Sequence, residues 1–154
     1  MKFEIKHRWS DKVLFSAETE TFKATVELAV KSEANLTRAD LTEAYLAGAN
    51  LRVIKHDLWG VLLHALPEVQ GLRDALVAGK VNGNVYKGEC ACLCGTIANL
   101  RHVTYEELPG IKPDSSSPAE RWFMGISEGD TPETNQVSKL TVEWIDEFMS
   151  LIKK

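Results

Sequence analysis

Three cysteines fall at alternate positions, Cys90, Cys92 and Cys94, in the run ECACLCGTIANL. That residue type at that spacing could do two kinds of chemistry: thiolates hold zinc, and a thiolate can act as a nucleophile. Structural zinc sites pair ligands about two to four residues apart and draw a second pair from elsewhere. Here every cysteine lies in one run, and His102 is the nearest imidazole. A nucleophile needs a base within hydrogen-bond reach, for which His56, His64 and His102 are the candidates. The third reading is packing, because free cysteine behaves as a small hydrophobe. Ala91, Leu93, Gly95, Ile97 and Ala98 surround the run with small and apolar groups, so packing is the expectation. No catalytic residue, metal or cofactor is assigned, and a cysteine-dependent enzyme or zinc module remains the last of three functional readings.

Two other groups could bind. VNGNVYKGEC places Asn82, Asn84 and Lys87 around a turn, where backbone N–H groups and one cation could hold an anion or a nucleotide-like signal. Neither phosphate-loop nor dinucleotide glycine motif is present, so turn formation is the competing reading. Arg8 with Trp9, and Arg121 with Trp122, mix aromatic and cationic groups of the kind found at protein-binding hot spots. Burial of either tryptophan in the core is the alternative.

The totals narrow the field. A chain of 154 residues can bury a real core and is expected to form one domain. Its net charge of −4 argues against binding nucleic-acid phosphates, which calls for clustered Lys and Arg. No stretch approaches the ~20 apolar residues that cross a bilayer, so no membrane is expected. The opening MKFEIKHRWSDKVLF carries charges throughout and has no secretory apolar region, which points to a reducing cytoplasm.

The elements that must position these groups are legible in outline. Alternation at Phe3 and Ile5, resumed at Val13 and Phe15, predicts a hairpin over 2–6 and 12–17. Thr21 caps a helix from Phe22 to about Ser32. Asp57 is expected to cap a second helix, with Leu58, Val61, Leu62, Ala65 and Leu66 buried, and Pro67 to open a third that stops at Gly79. Residues 89–100 read equally as a packed helix or a buried strand. Ser117, Pro118 and Glu120 form a helix start, with Glu120 reaching back to the cap. The last segment, about 133–152, is a long amphipathic helix with Val137, Leu140, Trp144, Ile145, Phe148 and Ile152 on one side.

Between the first two helices stands ANLTRADLTEAYLAGANL. It places Ala34, Ala39, Ala44 and Ala49, and Leu36, Leu41, Leu46 and Leu51, at a strict period of five. Five fits neither a straight helix nor a flat strand. It fits a chain that turns a corner at each unit with one large and one small side chain inside. The pattern resembles the pentapeptide-repeat family, which implies that residues 34–53 wind as one coil of a square right-handed β-helix. A single coil exposes leucine at both ends, so flanking helices or a second copy must cover it. An irregular helix continuing from residue 30 is the rival assignment. Mimicry of DNA, known for long members, is not expected of one coil with so small a net charge.

Together with the opening KFEIK, GECACLCGTIANL and SPAERWFMGI, the repeat also resembles small bacteriophage accessory proteins. The expected fold is α+β: residues 1–33 a hairpin plus helix, 34–53 the coil, 54–154 mainly helical. The expected function is protein–protein binding, as an inhibitor of a host factor, by a non-enzymatic homo-oligomer in the host bacterial cytoplasm. Binding or sequestration of a small molecule is the alternative.

Overall fold

In the computed structural model, which describes residues 1–36, 39–41 and 51–153, strands β1 (Lys2–Lys6) and β2 (Val13–Glu18) pair antiparallel. Phe3 lies opposite Ala17 and Ile5 opposite Phe15, so one face of the ribbon is apolar. A two-stranded ribbon is marginal alone. This one lies on helix α1 (Phe22–Lys31), where Phe3 meets Phe22 edge-on at 6.3 Å and Ile5 is fully buried.

Thr21 caps α1 by accepting the Ala24 N–H at 3.1 Å, as its position predicts. The helix ends at Lys31 because Glu33 turns left-handed, with φ of 54°. Glu33 N–H then donates to Val30 O and Ala34 N–H to Ala29 O, which is a Schellman stop. The rival helical reading therefore fails where it can be checked: residues 32–36 and 39–41 are not helical. Ala39 instead forms an antiparallel bridge with His7, and Asp40 N–H donates to Lys6 O at 2.8 Å. The start of the repeat thus runs along the outer edge of β1.

Helix α2 (Arg52–Leu63) begins earlier than Asp57 and has no side-chain cap. Asp57 lies inside it, and its carboxylate accepts the Ala119 N–H at 2.9 Å. The expected cap of one helix is therefore spent at the start of another. Ile54, Leu58 and Leu62 make its buried stripe, and Ala65 beyond it is buried too. Leu66, expected inside, is 47% exposed, because a short 3-10 turn (Leu66–Glu68) redirects the chain. Pro67 sits in that turn, and α3 (Val69–Val77) follows. Gly79, with φ of 71°, closes it as expected.

Of residues 89–100, the part from Leu93 on is helical, while Ala91 before it makes a parallel bridge with Val81. Helix α4 (Leu93–Arg101) starts at Cys92, whose Sγ accepts the Gly95 N–H, and ends at left-handed His102. Ser117 caps α5 (Pro118–Phe123), but Glu120 does not reach back; its carboxylate accepts the Tyr86 hydroxyl at 3.0 Å and the Asp114 N–H. Helix α6 (Gln136–Ile152) is capped by Asn135 and buries Val137, Leu140, Ile145 and Phe148, with Trp144 partly buried. Ile152 lies outside the core at 46% exposure. Arg73–Asp146 and Lys55–Glu147 ion pairs fasten α3 and α2 to α6. The buried apolar side chains join into one cluster reaching from Ile5 to Phe148.

The architecture is thus mixed, with a small antiparallel hairpin and a mostly helical remainder. Of the repeat, Ala34, Leu36, Ala39, Leu41 and Leu51 are described; Ala44, Leu46 and Ala49 lie outside the described residues.

Candidate functional site

Four of those five repeat residues converge on one place. Ala34, Leu36, Ala39 and Leu41 line a cavity of about 380 Å³. Val30 closes it from the end of α1, Val53 and Ile54 from the start of α2, and Val137 from α6. Helix α5 supplies Arg121 and Trp122. Leu36 and Leu41 of the repeat and the Arg121–Trp122 pair, singled out separately in the sequence, therefore share one space.

The sequence folds this way for local reasons. The Schellman stop after α1 throws residues 34–36 over the end of the helix. The β1 edge fixes Ala39 and Asp40. Helix α5 is held by two side-chain caps at its start, Ser117 on Glu120 N–H and Asp57 on Ala119 N–H. Trp122 is buried, and its Nε1–H donates to Thr141 Oγ1 at 2.8 Å while its ring leans on Trp144 at 5.3 Å. It serves as the floor of the cavity and does not protrude.

Arg121 is half-buried, and its guanidinium has no hydrogen-bond or ion-pair partner among the described residues. Its charge is felt by Asp114. Its carboxylate is held below the ordinary value first by the Ser116 hydroxyl and amide, and only later by the charge of Arg121. Glu33 stands exposed at the mouth. A second cleft, of about 550 Å³, shares Val30 and Val53 with the first and adds Leu28, Glu27, Lys31 and Arg52.

The other candidates are placed differently. Arg8 Nη1 donates to Ser127 Oγ at 2.9 Å and lies 3.6 Å from Asp130, tying the hairpin tip to that loop. Trp9 beside it is 61% exposed. Asn82 Oδ1 accepts the Asn84 N–H at 3.1 Å, which is the turn reading, and Lys87 Nζ sits 5.7 Å from the Tyr105 ring centre. Tyr105 in turn stacks on Tyr86 at 4.7 Å.

The cysteines look inward. Cys92 and Cys94 are buried and Cys90 half-buried. Burial pushes the Cys92 thiol up to about 11, and burial followed by the charge of Glu120 pushes Cys94 higher still. Cys90 is raised too, by burial and then by Glu128. Activated thiols are shifted the other way. Among the described residues no cysteine sulfur is hydrogen-bonded to His56, His64 or His102, and no three His, Cys, Asp or Glu side chains gather as metal ligands. Nor, among them, is any helix long and apolar enough to cross a membrane.

The feature that sequence reasoning missed is the cavity itself. Its signal lay in Val30, Val53 and Ile54, apolar residues that bracket the repeat. Residues 32–52 match the family model described as pentapeptide repeats (8 copies). Such repeats generally serve as protein–protein interaction modules, which is compatible with a binding role. No curated protein and no solved structure matches the chain.

Proposed function

We propose that the protein is a phage-type accessory protein that acts by binding a host protein, through the face built from the repeat, the start of α2 and helix α5, and so inhibits a host defence factor. The observation that carries the reading is the meeting of repeat residues with Arg121 and Trp122 around one apolar cavity. Cores of protein interfaces are apolar and contain buried aromatic and Arg anchors. The family match over residues 32–52 supports an interaction role. The setting rests on the resemblance of KFEIK, GECACLCGTIANL and SPAERWFMGI to phage accessory proteins. The reading has no catalytic step: the neutral, buried thiols of Cys92 and Cys94 favour a packing role over a reactive one. The coil over residues 34–53, of which 37–38 and 42–50 lie outside the described residues, belongs to this proposal.

The test is capture from bacterial lysate with immobilised protein, comparing the natural sequence with Val53→Trp. Val53 is 54% exposed at the rim of the cavity, so the larger ring obstructs the face without entering the core. A host protein enriched by the natural sequence and lost with Val53→Trp is expected. Identical captured sets for both would overturn the assignment of the face.

A further inference from the structure

The cavity also indicates what kind of segment it receives, on the reading that this face binds a partner. Its walls are mainly apolar, and its volume of about 380 Å³ accommodates a large apolar side chain with its neighbours. Arg121 is the informative group. A half-buried guanidinium is ordinarily paired, because partial desolvation of a cation is unfavourable. Arg121 has no such partner among the described residues. Glu33 lies at the exposed mouth, where water screens it, and Asp114, whose Oδ1 accepts from Ser116, meets Arg121 through charge alone, with no hydrogen bond or ion pair between them. The adjoining cleft adds Lys31 and Arg52, so among the described residues that line the two clefts three basic groups, Arg121, Lys31 and Arg52, stand against the two acids Glu27 and Glu33. The chain as a whole carries −4. A locally basic, apolar groove on an acidic protein selects its complement.

We propose that the cavity takes an acidic–apolar segment of the partner protein: a leucine, methionine or aromatic side chain fills it, and an adjacent Asp or Glu carboxylate pairs with Arg121. The guanidinium suits a carboxylate in bidentate geometry, and the mainly apolar walls exclude water from the pair.

The probe is a random-peptide display library panned on the intact protein, with Arg121→Gln and Val53→Trp as variants. Arg121→Gln leaves no partner orphaned, and far-UV circular dichroism checks that both variants fold; Arg121→Met is the second neutral replacement should the first misfold. Selected peptides are expected to carry Asp or Glu beside a large apolar residue. Their affinity should fall about tenfold with Arg121→Gln, the loss of one charge-assisted pair, and further with Val53→Trp. Peptides weakened by Val53→Trp but indifferent to Arg121→Gln would overturn the acidic anchor and leave the binding face standing. Enrichment of basic or uncharged motifs would overturn it likewise. No enrichment over bare resin, or peptides indifferent to both variants, would remove the binding face as well.

Discussion

At the residue scale, the polar groups that the sequence makes conspicuous are mostly engaged inside the molecule. Glu120 is 5% exposed and gathers the Tyr86 hydroxyl and the Asp114 N–H, so the loop before α5 and the segment before α4 hang from one carboxylate. The cysteines sit beside it, with Cys92 at the head of α4 and Cys94 raised partly by the Glu120 charge. A thiol whose ionisation is pushed up and whose sulfur is buried reacts slowly, since the thiolate is the attacking form. Alkylation with iodoacetamide at pH 8, read by mass spectrometry, should therefore modify Cys90 first and leave Cys92 and Cys94 untouched until urea is added. Rapid labelling of Cys94 in the folded protein would contradict the packing assignment.

Elements are held by neighbours as well as by their own ends. Asp57 shows this most clearly: it sits in the second turn of α2 and caps the first turn of α5. Asp57→Ala should lower stability by about 1 kcal/mol, the ordinary cost of a lost cap. In a chain of this length that is a fall in melting temperature of roughly 2–4 °C. Thermal unfolding followed by circular dichroism reads it. Ala is the better helix former inside α2, so a lowered midpoint belongs to the lost contact with Ala119, and an unchanged or raised one would contradict this role. The example also explains what could be read in advance. The hairpin, α1, α5 and α6 were legible because their signals are local: alternation in β1 and β2, Thr21, Ser117 and Pro118, and one apolar stripe. The starts and stops that escaped are set through space. Leu51 begins α2 without a side-chain cap, and Glu33 and His102 take a left-handed stop that sequence reasoning reserves for glycine. The candidate site was half legible: Arg121, Trp122 and the repeat leucines were named, but their meeting depends on where the chain places residues 34–36 and 39–41 beside β1.

For the whole molecule, the cavity-lining residues of the repeat match, Ala34, Leu36, Ala39 and Leu41, and the basic groups Arg121, Lys31 and Arg52 fall on one face, while the net charge of the chain is acidic. Trp9 marks a different place, at the tip of the hairpin, and serves as an internal comparison. Hydrogen–deuterium exchange of the free protein and of its complex with the captured partner tests the account most directly. It predicts slowed exchange over residues 30–54 and 116–125, with residues 7–12 unchanged. Protection centred on the hairpin tip or on residues 82–90, with 30–54 and 116–125 exchanging as before, would contradict it.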